Sequence, residues 1–168
     1  DYFDNQLRRG ILNDTKADIL LFSNAERSIL TLLSRMKELN VEEPIFEKIK
    51  TSLNLQSING AAFRIKKEEI NEQTRILPSF EDCVKAKKNF SLLTRIHYLL
   101  PDEAFIEPCG LGFIQCNRPA HTLREKEMDT IYELPFTRQL HKDTKNLEFN
   151  QEMVDKLEAS VIIGRGCW

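Results

Sequence analysis

Apolar residues along the chain change their spacing several times, and each change predicts an element. Over 5–12, Leu7, Ile11 and Leu12 share one side of a short helix that Asn13 and Asp14 end. Ile19-Leu20-Leu21-Phe22 is apolar without alternation, the pattern of a strand covered on both faces, as in a parallel sheet. Ser23-Asn24-Ala25-Glu26 has the form of a capping box, and Ala25, Ile29, Leu32, Leu33 and Met36 follow as a helical stripe. Asn59-Gly60 marks a turn into a strand over 61–65, and the mixed-sign run 66–69 reads as a solvated loop. Pro78-Ser79 opens one long helix ending near Pro101, with Ser79 as N-cap, Asp82 at its third position, and Phe80, Cys83, Val84, Phe90, Leu93 and Leu100 facing inward. Strands over 103–107 and 113–116 join through Pro108-Cys109-Gly110-Leu111-Gly112 as a hairpin. Thr122-x-x-Glu125 opens another helix through about Tyr132, which Leu134-Pro135 stops, and a polar stretch over 139–156 leads to the closing strand at Val161-Ile162-Ile163. Strand followed by helix within about 40 residues predicts an α/β fold built on part of a doubly wound sheet.

Charge narrows the function classes. The 168 residues carry 24 Lys and Arg against 26 Asp and Glu, a net charge of -2, so no basic field draws the surface toward nucleic acid or anionic lipid. The apolar runs fall far short of the ~20 residues a membrane-spanning helix needs, which predicts a soluble protein. Cys83, Cys109, Cys116 and Cys167 are widely spaced and no secretory signal is present, a pattern of reduced thiols in a cytoplasmic setting. The chain opens at Asp1-Tyr2-Phe3-Asp4 without an initiator Met and closes on a thiol, so it reads as an internal piece of a longer protein.

Few residues carry a chemical signature. Cys109, Cys116 and His121 are spaced as half of a zinc site, although zinc pairs usually sit closer; two small buried thiols beside a turn is the plainer reading. Glu26 is explained by capping, Arg8 and Arg9 by a solvated helix end, and His97 by an inward position on the long helix. No nucleophile elbow, zinc-protease helix or Walker loop is present.

Four blocks in order resemble the YgiQ-type radical S-adenosylmethionine proteins. They are Asp1-Tyr2-Phe3-Asp4 with Arg8-Arg9-Gly10-Ile11-Leu12 and Lys16-Ala17-Asp18-Ile19-Leu20; Asn59-Gly60-Ala61-Ala62-Phe63; Leu77-Pro78-Ser79-Phe80-Glu81; and Tyr132-Glu133-Leu134-Pro135-Phe136-Thr137-Arg138 with His141 beyond. The closing Arg165-Gly166-Cys167-Trp168 is similar to the family's strand end, whose Cys begins a C-x-x-x-C-x-x-C motif. The resemblance implies that Cys167 is a ligand of a 4Fe-4S cluster in the full-length parent, with S-adenosylmethionine and an unknown substrate as its small-molecule partners. Three regions follow from it: 1–78 as the C-terminal part of a Rossmann-like, cobalamin-binding-like domain, 79–122 as a long helix and hairpin connector, and 123–168 as a helix and linker into the first strand of the radical SAM barrel. Phe136, Thr137 and Arg138 would stand near the cluster or simply pack as a linker. Where the family has a Gly-rich G-x-G-E turn this chain has Ser23-Asn24-Ala25-Glu26, so side chains stand where backbone would approach a cobalamin or nucleotide.

The leading expectation is thus a piece of a radical SAM iron-sulfur protein, catalytically incomplete alone and holding no cofactor by itself. Its rivals are a non-enzymatic α/β binding or scaffold module and a small zinc-binding protein. Apolar faces cut at 1 and at 161 predict self-association.

Overall fold

The computed structural model describes residues 3–39, 53–110, 112–137, 151–158 and 160. The chain divides into two compact units, Asp1–Thr122 and Leu123–Trp168. The first is built on one open sheet of five strands, β1 (Ile19–Leu21), β2 (Ala61–Ile65), β3 (Arg75–Ile76), β4 (Phe105–Cys109) and β5 (Gly112–Cys116), in the order β1-β2-β5-β4-β3. Among the described residues its helices are α1 (Ile11–Thr15), α2 (Glu26–Glu38), α3 (Phe80–Lys85) and α4 (Lys87–Leu99). The second unit contributes α5 (Glu125–Tyr132) and α6 (Gln151–Glu158). No helix among the described residues is long and apolar enough to cross a membrane.

The α/β class expected from the sequence is the one found, and the ladder directions differ from the parallel arrangement expected with it. β1 pairs with β2, β2 with β5 and β4 with β5 in antiparallel fashion, and only the short β3 runs parallel to β4. The continuous apolar run at Ile19 correctly signals burial on two faces, yet three residues cannot encode direction. Ile19 and Leu21 pack with Phe63, Ile65 and Ile106 on one face, beneath Leu32 and Met36 of α2 and the buried Leu53, Leu55 and Ile58. Leu20 and Phe22 pack with Ala62 and Ile114 on the other, beneath Leu12 of α1. Side chains alternate across a strand, so β2 serves both layers with Ala61, Phe63 and Ile65 on one face and Ala62 and Arg64 on the other. Burial of each large aliphatic or aromatic core side chain contributes about 1.5–3 kcal/mol.

Several elements begin elsewhere than local pattern predicts. The helix expected over 5–12 starts instead at Ile11 and closes on Lys16 in the left-handed conformation, φ 55°. The capping box expected at Ser23 does not form. Ser23 sits at φ 62° in a tight turn, α2 starts at Glu26 after Ala25, and no side chain caps it. Its inward stripe is therefore Ser28, Leu32 and Met36, while Ile29 and Leu33 face outward. The long helix is broken at Ala86, whose φ -146° and ψ 116° are extended. Ser79 caps α3 as expected, with its hydroxyl accepting from the Asp82 N–H at 3.0 Å and the Asp82 carboxylate accepting from the Ser79 N–H at 3.3 Å. α5 is capped two residues later than Thr122, its Glu127 carboxylate accepting from the Arg124 N–H at 2.7 Å. The closing strand expected at 161–163 and most of the polar stretch before it lie outside the described residues.

Two local constraints hold the layers together. Gly60 has φ 76°, and a Cβ there would lie 2.5 Å from the Ser28 hydroxyl, so α2 can rest against this turn only where the side chain is absent. Ser28 uses the approach to donate to the Asn59 carbonyl at 2.7 Å. Just past β5, buried Asn117 donates through its amide to the Leu55 and Ile58 carbonyls, both at 2.8 Å, and accepts from Gln115 at 2.8 Å. These bonds tether the short turn Leu55–Ser57 to the sheet. Asn117→Ala should strand two buried carbonyls and the Gln115 amide, and equilibrium urea unfolding should register a loss of about 2–3 kcal/mol.

Candidate functional site

The sheet face beneath α1, α3 and α4 carries Arg64, Glu107, Cys109 and Cys116. Register places Arg64, Ile114 and Glu107 in one row across β2, β5 and β4, with Ala62, Cys116 and Phe105 in another. Arg64 and Glu107 thus stand about 10 Å apart, two strand spacings, and do not meet. Arg64 instead donates to the main-chain carbonyls of Leu12 and of Ala17, the latter at 3.2 Å. In this way it satisfies the end of α1.

Glu107 is half-buried and has no hydrogen bond or ion pair among the described residues. It stands on a small cleft of about 220 Å³, beside Gly10, Leu77, Phe80, Cys83, Leu93 and His97. The cleft opens onto a larger groove of about 810 Å³ that shares Leu7, Phe80, Cys83 and Phe90 with it. Desolvation, with some repulsion from Glu81, pushes the Glu107 carboxyl above its ordinary range. Gly10 closes on it from the other side: a Cβ at Gly10 would lie 3.6 Å from Glu107 Oε2.

The residues singled out from sequence are dispersed. Cys109 and Cys116 share a face but sit four residues apart along the ladder, about 13 Å, and among the described residues no three His, Cys, Asp or Glu side chains converge as a metal site. The zinc reading for Cys109, Cys116 and His121 therefore has no geometric support, because a hairpin separates strand ends by its own length. His121 lies instead beside Arg27, Ser28 and Asn59. Burial pushes all three described thiols up, Cys116 to about 11, so without a metal they are neutral near pH 7. His97 is not the core histidine expected. It is exposed on α4, its ring edge-on to Phe105 at 4.9 Å between centroids, and partial desolvation lowers its pKa. Arg8 pairs with Asp4, and the Arg9 guanidinium lies 6.0 Å from the Phe80 ring centroid. Glu26 begins α2 without capping it. Phe136 and Thr137 are exposed, while Arg138, His141 and Cys167 lie outside the described residues.

A family model described as radical SAM N-terminal matches residues 1–157. The chain belongs to this radical SAM N-terminal family. A UPF0313 protein of Methanocaldococcus jannaschii is 31% identical over 173 residues, an alignment that takes in 100% of this chain and 26% of the relative. UPF0313 proteins of Fusobacterium nucleatum and Geobacter sulfurreducens are each 30% identical, again over 100% of this chain and over 28% and 26% of their own lengths. This radical SAM N-terminal chain thus spans about a quarter of the length of the curated relatives it matches. No solved structure gives a significant match.

Membership in the family directs attention to iron-sulfur chemistry, and the described thiols do not fit it. Cluster ligands converge on one site, whereas Cys109 and Cys116 stand about 13 Å apart along the ladder and no metal-ligating group forms among the described residues. Glu107 was not visible in the sequence as a site, since a lone carboxylate at a strand end reads as solvated until the partner strand and its cover are known.

The raised Glu107 pKa has a consequence for stability. The folded chain retains this proton at a pH where the unfolded chain has released it, so stability falls as pH rises upward from about 4.3, the ordinary Glu value, and levels off above the raised pKa. Glu107→Gln should remove this component of the slope, measured as urea midpoints across that range.

Proposed function

We propose that this chain is the N-terminal region of a radical S-adenosylmethionine iron-sulfur protein of undefined substrate, and that Cys167 supplies the first thiolate to a 4Fe-4S cluster in the full-length protein. One observation carries the reading: the family match over 1–157 is followed within ten residues by Arg165-Gly166-Cys167-Trp168, the strand ending that resembles the start of the cluster motif. The described thiols offer no rival site, for Cys109 and Cys116 stand at opposite ends of a strand pair and no metal-ligating cluster forms among the described residues. When bound, a 4Fe-4S cluster supplies the electron that cleaves S-adenosylmethionine in this class of chemistry.

The chain's own contribution is then architectural. Its two-sided sheet, tied by Arg64, Gln115 and Asn117, precedes in sequence the segment that carries Cys167. On this reading the 168 residues alone are catalytically inert, because three thiolates are needed to hold the cluster. The parent acts in the reducing cytoplasm, where such thiols remain free to bind iron.

The test uses full-length protein reconstituted anaerobically with iron and sulfide. Wild type and Cys116→Ala should both develop the broad visible charge-transfer absorption of a cluster, and Cys167→Ala should lose it. A Cys167→Ala protein with an unchanged spectrum would overturn the assignment.

A further inference from the structure

Glu107 is the outlier on its sheet face. In the neighbouring strands β2 and β5 each charged or amide side chain is satisfied by a main-chain or side-chain partner: Arg64 by two carbonyls, Gln115 by Asn117. Glu107 is half-buried with no partner among the described residues, and removing a carboxyl from water without compensation is costly. The nearest cation on its own face, Arg64, is committed to the Leu12 and Ala17 carbonyls. At the mouth of the cleft Arg8 is held by Asp4 and Arg9 lies over Phe80. The one charged group that acts on Glu107 is Glu81, which is also negative. The other titratable groups on the cleft are His97, whose desolvation favours the neutral imidazole, and the Cys83 thiol, which burial favours in its protonated form. The floor of the cleft is thus an anionic position without an ion-pair partner among the described residues, and Leu7, Leu77, Phe80, Phe90 and Leu93 supply its apolar walls.

The space beside the carboxyl is left free at Gly10. Gly10 lacks the side chain that would fill the space over Glu107 Oε2, and its φ of -56° is one any residue can adopt, so the backbone conformation does not demand a glycine there. From the carboxyl the cleft leads into the wider apolar groove between the 5–7 segment and α3 and α4. A complementary guest carries a positive head that donates hydrogen bonds and an apolar body behind it. We propose that the Glu107 cleft binds the ammonium head of a small amphipathic amine, whose apolar body lies along Leu7, Phe80 and Phe90. The guest gives the half-buried carboxylate a charge-assisted hydrogen bond, and the low-dielectric walls strengthen that bond. Binding draws Glu107 into its ionised form, so it strengthens as pH rises through the carboxyl's titration.

The experiment is isothermal titration of the full-length protein with 2-phenylethylammonium, alongside 3-phenylpropionate and 3-phenylpropanamide, which keep the ring and replace the cation by an anion or a neutral amide. The ammonium probe should bind saturably and at least tenfold more tightly than either. Glu107→Gln should weaken it at least tenfold and remove the rise in affinity across the carboxyl's titration. Gly10→Leu, which fills the space without touching the charge, should weaken it to a similar degree, and unfolding midpoints show that each variant is folded. Equal binding by the three probes, undiminished ammonium binding in either folded variant, or no saturable ammonium binding to wild type would overturn the proposal.

Discussion

The antiparallel ladder of β2 against β5 is the interaction on which the rest depends. It is covered on both faces, so each of its residues faces a packed layer rather than water. Apolar residues meet that condition directly, as Phe63, Ile65 and Ile114 do. Polar ones meet it only through hydrogen bonds inside the protein. Arg64 reaches up into the α1 layer to the ends of a helix and a loop, and Gln115 reaches down through Asn117 to the Leu55–Ser57 turn. The polar residues of the central strands thus fasten one covering layer each. Glu107, one strand further out, is where this accounting leaves a group unmatched.

Local chemistry was readable where it is self-contained. β2, the hairpin of β4 and β5, the Gly60 turn and the Ser79 cap all follow from residues adjacent in sequence, and all are found. Ser23 shows where that reading fails. Its sequence context fits a cap, but the chain leaves β1 through a turn at φ 62° that directs the helix to start at Glu26. The break at Ala86 has no glycine or proline to announce it, and β3 is two exposed residues that only its ladder with β4 identifies. Strand direction was likewise hidden, because two-sided burial looks the same in a parallel or an antiparallel neighbour.

The chemical site was legible to a different depth. Ordered blocks pointed to the family, which the match over 1–157 establishes, because a string of short motifs in fixed order survives where single residues are ambiguous. Pairings among distant residues could not be read that way. Cys109 and Cys116 look close in sequence, and the hairpin carries them to opposite ends of a strand pair. His97 does lie on the face of α4 that carries Phe90 and Leu93, edge-on to the buried Phe105, but that face borders an open cleft, so the ring stays exposed where a closed core was expected.

That break has a geometric effect on the apolar groove. In one uninterrupted helix Phe80 and Phe90 would be separated by about 15 Å of axial rise and would point in different directions. The corner at Ala86, braced by the Asn89 amide donating to the Asp82 carbonyl at 2.9 Å, folds the two rings onto the same hollow. The aperture between them is thereby fixed by a main-chain elbow. Rotamer changes alone can tune its lining but not its span, so selection by size in this hollow belongs to the backbone.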